Sequence, residues 1–433
     1  MKALYPKQAE AVSFFLDALK ARRNTIDTSS VGTGKTVVAA HLAKQLGKPV
    51  AVICPKSVIP SWERELEETG LKPLFVLNYE KLRTGRTKHM SKKGKKMMRW
   101  HLPKSTLVLV DEIHKCKGHY TQSAQLVISL VEQGFRVHGM SATACEDPTE
   151  MRAIGFMLGL HGLNKRADGR PSWFSWMQSN GCRQDQWKQW RLMSRAKLQG
   201  VKEAIYGNTG HKLTVEDFPD SFRANRVFIE PTQFSNTSKI IKAYDELGLT
   251  PAIIESYILD SKSITDSGFV IVDILRARQL AESFKLPDLA EIAQDLVSQG
   301  NSVVLFVNFT DSVNALCERL KCGKIDGNQT ATERQKVIDD FQADRTHIVV
   351  ANIAAGGTGV SLHDTHGNRP RVSLISPSFS AKNHLQTLGR IHRNGAKSDA
   401  IQKVLVAADS IEEKVMETIN KKLKNLEALH GLS

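Results

Sequence analysis

The sequence has no Cys-x-x-Cys pair: its six cysteines (Cys54, Cys116, Cys145, Cys182, Cys317 and Cys322) are scattered through 433 residues. That excludes a recognisable zinc ribbon or dithiol motif and fits a reducing compartment. Long apolar runs are missing too. The longest, such as Val303–Val307 and Leu107–Val110, fall far short of the roughly 20 residues a membrane helix needs. Near the start, Glu10 and Asp17 interrupt the apolar residues, so there is no secretory signal to read. The expectation is a cytoplasmic, non-membrane protein. One stretch also lacks any acidic residue, Lys81 to Lys104.

What is present is a globular balance of 41% hydrophobic and 24% charged residues. The length exceeds what one core serves, which suggests two or three domains. Net charge is +15, and the acid-free stretch alone holds +10: Lys81, Arg83, Arg86, Lys88, Lys92, Lys93, Lys95, Lys96, Arg99 and Lys104. Such a block repels itself and seldom packs, so it reads as a mobile loop or loose hairpin. It either attracts a polyanion such as nucleic acid through counterion release or is a solvated lysine-rich turn.

An α/β alternation runs along the chain twice. In the first half, strands are expected at Thr25–Thr28, Pro49–Cys54, Leu74–Leu77, Thr106–Val110 and Phe135–Met140, with helices over 7–22, 37–46 and 58–69. In the second, strands fall at Val303–Val307, Thr346–Val350, Val372–Ile375 and 401–406, with helices over 311–320, 331–341, 381–392 and 411–429. Such alternation implies mostly parallel sheets flanked by helices. Between the halves, about 150–300 reads as mostly helical. The boundary is placed near Phe218-Pro219-Asp220, giving domains of 1–222 (with the helical insertion from about 150) and 223–433.

Three segments carry chemistry. Ser30-Val-Gly32-Thr33-Gly34-Lys35-Thr36 follows a strand and opens a helix, the setting of a phosphate-binding loop. Glycines let backbone N–H groups face phosphates, Lys35 reaches the β/γ-phosphates and Thr36 ligates Mg²⁺. The first glycine of the usual pattern is Ser29. Asp111 and Glu112 end an apolar strand; there Asp111 suits a metal and Glu112 a water. Gln386-Thr-Leu-Gly-Arg390-Ile-His-Arg393 spaces two arginines three apart, which puts both on one helix face.

Together these residues resemble the superfamily-two helicase-fold ATPases, and within them the Swi/Snf-like DNA translocases. Tyr5-Pro-Lys-Gln8 is similar to the motif that reads adenine, and Ser29–Thr36 to motif I. Cys54-Pro55-Lys56 before Trp62 is similar to motif Ia, and Asn78-Tyr79-Glu80 to the strand-end motif after it. Asp111-Glu-Ile-His114 resembles the DEAH-type box, Ser141-Ala-Thr143 motif III, Ala355–Leu362 motif V and Gln386–Arg393 motif VI. The resemblance spans residues 5–395 and implies two tandem RecA-like lobes with a small helical insertion. It also implies ATP and Mg²⁺ in the cleft, with Gln8 on the base and Gln386, Arg390 and Arg393 supplied by the second lobe. Pro55, Lys56, Ser57, Thr310, Gly356 and Thr358 would grip phosphates, aided by Lys92, Lys93, Lys95 and Lys96.

Departures narrow the expectation to a minimal motor of viral or bacterial type, acting as a monomer. The space between Thr143 and Val303 is short, and Gly395-Ala396-Lys397 replaces the usual Gly-Gln-Lys. The expected partner is DNA, duplex favoured and single strand possible; the alternative is a strand-separating helicase on DNA or RNA. Trp173, Trp176, Trp187 and Trp190 are read as core, since aromatics at helical spacing more often pack than stack on bases. His114, His363 and His392 are assigned to hydrogen bonding.

Overall fold

Strands that are apolar on both faces need cover on both faces, which a parallel sheet with crossover helices supplies. The computed structural model describes residues 3–93, 97–118, 120–145, 147–164, 169–185, 188, 190–259, 268–356 and 360–430. The chain forms two compact units, Met1–Phe218 with Asn425–Ser433, and Pro219–Lys424.

In the first unit six parallel strands lie in the order Gly210–His211, Thr25–Asp27, Arg136–Met140, Leu107–Asp111, Val50–Cys54, Phe75–Asn78. All four apolar residues of Leu107–Val110 are buried, and so is every residue of Val50–Cys54. In the second unit the order is Asn225–Thr232, Ala400–Ala407, Arg371–Ile375, Ser302–Val307, Ile348–Asn352, Gly323–Ile325, again all parallel. These are two RecA-like α/β layers in tandem.

The basic segment departs from expectation. Rather than a mobile loop or a loose hairpin, it forms a three-stranded antiparallel sheet of Arg86–Thr87, Met90–Lys93 and Met97–Trp100. The reason is a period-two pattern hidden under the charge. Met90, Met98 and Trp100 are buried, while Arg86, Lys88, Ser91 and Arg99 are exposed. Gln133 clamps the edge strand Met97–Trp100, accepting from Trp100 N (3.0 Å) and donating to Met98 O (2.8 Å), and the Trp100 indole donates to Ser129 Oγ at 2.9 Å. Lys95 and Lys96 lie outside the described residues, as does Trp187.

The stretch between the halves is less uniform than expected. A hairpin, Cys182–Gln184 with Trp190–Leu192, interrupts short helices at Arg152–Met157, Trp173–Ser179 and Leu198–Tyr206. The longest helix, Gly268–Ser298, belongs to the second unit. Trp173 and Trp176 are buried, as expected of core residues, and Trp190 is half-buried.

Candidate active site

The phosphate-loop segment begins where the strand Thr25–Asp27 ends and closes into the helix Lys35–Leu46. Gly32 and Gly34 sit at φ +88° and +90°, a region that glycine enters without the penalty a Cβ imposes. At Gly34 space forbids a side chain as well, since a Cβ would lie 2.5 Å from Gln8 Nε2. The Gln8 amide braces the loop by donating to Thr33 O at 2.8 Å and accepting from Tyr5 N at 3.1 Å. Lys35 folds back so that its ammonium donates to the carbonyls of Ser29 (2.7 Å) and Ser30 (3.0 Å). Thr36 follows in the first helical turn, half-buried. The serine at 29 has a local purpose: its hydroxyl accepts from Leu213 N at 2.8 Å, a bond neither glycine nor alanine can make.

One strand away in the sheet, Leu107–Asp111 ends on the same side, the edge where open α/β sheets bind ligands. Three donors fix Asp111. Its Oδ2 accepts from the Trp62 indole at 2.9 Å, its Oδ1 from Glu112 N at 2.9 Å, and its carbonyl from Tyr79 OH at 2.6 Å. Burial and the neighbouring Glu112 push its acid up to about 7, while the Trp62 N–H and the Lys35 ammonium oppose the rise. Glu112 adopts φ +53°, uncommon for a residue with a Cβ and a conformation found at functional sites. Its Oε2 lies 3.0 Å from His114 Nδ1 and 3.4 Å from Ser141 Oγ, and these two are 2.8 Å apart. Hard oxygen donors with room for phosphate oxygens are what Mg²⁺ takes, because it rarely relies on an all-protein cage. The Asp111 carboxylate and the Thr36 hydroxyl fit that chemistry.

In the second unit the arginine segment corrects the expectation of a helix over 381–392. The helix Ala381–Leu388 ends at a Gly389 C-cap, so Arg390 and Arg393 lie in the turn beyond rather than on a helix face. They converge nevertheless. Arg390 Nη1 and Arg393 Nη2 both donate to Val360 O, at 3.1 and 3.0 Å. Burial pulls Arg393 down to about 10, still charged at neutral pH. Gln386 is buried in the last turn of that helix. His392 Nε2 lies 3.0 Å from Arg223 O.

The proposed grip residues follow strand ends in both units. Pro55 (buried), Lys56 (exposed) and Ser57 (half-buried) follow Val50–Cys54. Thr310 opens the helix Thr310–Leu320 after Ser302–Val307, and Gly356 closes the short helix after Ile348–Asn352. Thr358 lies outside the described residues. Lys92 donates to Gln122 Oε1 at 3.2 Å, and Lys93 ends its strand. Sequence reasoning did not single out the Trp62 and Tyr79 bonds to Asp111. The available signal was a tryptophan on the apolar stripe of the short helix that follows Val50–Cys54, the strand paired with Leu107–Asp111.

Two family models match the chain: "Type III restriction enzyme, res subunit" over residues 1–146 and "Helicase conserved C-terminal domain" over residues 285–395. The Acanthamoeba polyphaga mimivirus protein named "Putative ATP-dependent RNA helicase L364" is 30% identical, over 99% of this chain and 83% of its own length. The Caenorhabditis elegans "SWI/SNF-related matrix-associated actin-dependent regulator of chromatin subfamily A-like protein 1 homolog" is 22% identical over 98% of this chain, which spans 61% of it. Among solved structures, the Sulfolobus solfataricus SWI2/SNF2 ATPase core in complex with dsDNA aligns over 100% of this chain and 98% of its own, at 16% identity and a TM-score of 0.38. The chain belongs to the superfamily-two helicase-fold ATPases and is a nucleic-acid-dependent ATPase.

Proposed function

We propose that the chain is an ATP-driven translocase that moves along duplex DNA with little sequence readout, residues 1–222 forming the ATP-binding lobe and 223–433 the second. The observation that carries this reading is the division of labour. Lys35, Thr36, Asp111 and Glu112 gather at one sheet edge of the first unit, while a paired arginine turn on Val360 belongs to the second. Lys35 then binds the β/γ-phosphates, Gln8 holds the loop and meets the base, and Glu112 orients water and takes its proton. Asp111 and Thr36 would hold Mg²⁺, which when bound neutralises charge on the phosphates. Arg390 and Arg393 complete the site only when the second lobe closes on nucleotide, so hydrolysis and release reopen it. Grips at Lys56–Ser57 and at Thr310 and Gly356 hold backbone phosphates in turn, and such contacts position without reading bases.

Duplex DNA is favoured by the Swi/Snf-like motif set. A second reading, a strand-separating helicase on RNA or DNA, is favoured by the mimivirus relative, whose name is that of an RNA helicase and which matches almost end to end. ATP turnover with duplex DNA, single-stranded DNA, duplex RNA and no polymer, beside a strand-displacement assay, separates them. Strongest stimulation by duplex DNA without displacement is expected. Robust unwinding, or stimulation by RNA alone, selects the second reading.

A further inference from the structure

Asp111 is held from outside its own strand by a tryptophan that comes directly after the proposed phosphate grip. We propose that Trp62 is a positioning residue that couples polynucleotide contact at Lys56–Ser57 to the orientation of the Asp111 carboxylate. The inference rests on the reading of those residues as a nucleic-acid grip and of Asp111 as a metal-facing acid.

The connection is short and stiff. Lys56–Val58 is a 3₁₀ turn that runs straight into the helix Ile59–Glu68, without a glycine between Lys56 and Trp62. Pro60 falls in the first helical turn, where its missing N–H costs nothing and its fixed φ favours the helix. Val58, Trp62 and Leu66, four residues apart, form a stripe with exposures of 8%, 1% and 0%. Pro60, Ser61, Glu63 and Arg64 face solvent. A force on the exposed Lys56 therefore acts on a rigid rod whose buried side ends at Asp111. Trp62 lies five steps beyond Ser57, roughly 8 Å along a helix axis at 1.5 Å per residue.

The contact itself is directional. The indole N–H is a lone donor aimed at one carboxylate oxygen, 2.9 Å away. A phenylalanine would fill most of the same space and supply no donor. The other two anchors of Asp111, Glu112 N and Tyr79 OH, do not ride on this helix. A shift or tilt of the helix thus changes the Trp62 bond while the strand end stays fixed, so the carboxylate turns against its neighbours.

The test uses the full-length chain labelled with 5-fluorotryptophan, the line of Trp62 among the six tryptophans being the one lost in Trp62→Phe. Without nucleotide or Mg²⁺, saturating duplex DNA should move that line, and in Lys56→Ala the movement should shrink. In Trp62→Phe the stimulation of turnover by DNA should fall about ten-fold or more, the size expected for losing one hydrogen bond to a charged group. Nucleotide affinity measured without Mg²⁺ should stay within a few-fold. A Trp62 line indifferent to DNA, or full stimulation in Trp62→Phe, overturns the coupling. A wild type that no polynucleotide stimulates overturns the nucleic-acid reading and the coupling with it. Should Trp62→Phe fail to fold, the line lost in Trp62→Tyr supplies the assignment, and the labelled wild type and Lys56→Ala then decide.

Discussion

Glu112 shows at the scale of one residue how the site is prepared before any ligand arrives. Its left-handed backbone costs energy that the surroundings must offset, and the ring of His114 and Ser141 holds its carboxylate on one side. In the proposed role of general base Glu112 would need a lone pair already aimed, and His114 and Ser141 restrict where that lone pair points. Glu112→Gln keeps the size and removes the basic oxygen. Turnover should fall by about 10²–10⁴-fold, the usual contribution of a positioned base, while ATP affinity stays within a few-fold. Single-turnover kinetics beside fluorescent-nucleotide binding measures both. Near wild-type turnover would remove Glu112 from the reaction. Ser29 carries the opposite lesson: what looks in sequence like a damaged phosphate loop is a loop with an added anchor to Leu213.

Among the elements, those legible in sequence were the ones whose pattern had a single explanation. The strands at Leu107–Asp111 and Ser302–Val307 read correctly because continuous apolar runs bounded by polar turns fit little else. The order of the basic sheet was hard to read because charge dominates the segment, while among the described residues Met90, Met98 and Trp100 carry the inward alternation. The arginine turn was misread because Gly389 ends the helix four residues before Arg393, and periodicity alone does not locate that stop. The Trp62 bond to Asp111 joins residues 49 apart, a pairing fixed only once the sheet is assembled. An ordered sheet changes what to expect of the lysines: Lys92 is two residues from the buried Met90 and donates to Gln122, so the joint replacement of Lys92, Lys93, Lys95 and Lys96 by Ala is checked for folding by circular dichroism before binding is measured. If all four meet phosphates, the log–log salt slope of DNA binding should shrink by about 3–4 units. An unchanged slope would make them solvated bystanders. Trp100→Ala should cost about 3–5 kcal/mol in urea unfolding.

Across the whole molecule both units share an acid weakness. Burial lowers His138 and His161 in the first unit and His363 and His384 in the second, each to about 4. The unfolded chain protonates these rings near 6.5, the folded chain only near 4. Between those values the unfolded state binds more protons, so stability falls as pH drops through the window and is unaffected by these groups above it. Each contributes a slope of up to about 1.4 kcal/mol per pH unit. Thermal midpoints should drop clearly from pH 7.5 to pH 5; a flat profile would mean the rings are not buried neutral.

The two units matter most for the chemistry they divide. Lys35 sits in the unit that would hold the phosphates, so Lys35→Ala should impair nucleotide binding and turnover together. Arg393 is held in the other unit, on the carbonyl of Val360, and burial leaves it charged at neutral pH. Under the proposed function its guanidinium would stabilise the charge that develops as the γ-phosphoryl group leaves. Arginines of this kind are worth roughly 10³–10⁵ in turnover, and a loosely coupled motor would show the lower end. Arg393→Ala should keep ATP and DNA affinities within a few-fold while hydrolysis collapses, even at saturating duplex. Arg393→Lys should recover little, since an ammonium cannot reproduce the planar fork that donates to phosphate oxygens. Fluorescent-ATP titration and steady-state turnover on Lys35→Ala, Arg393→Ala and Arg393→Lys distinguish a binding residue from one that acts on the transition state. If Arg393→Ala hydrolyses ATP at near wild-type rate, the second unit contributes no charge to the reaction and the composite site is wrong.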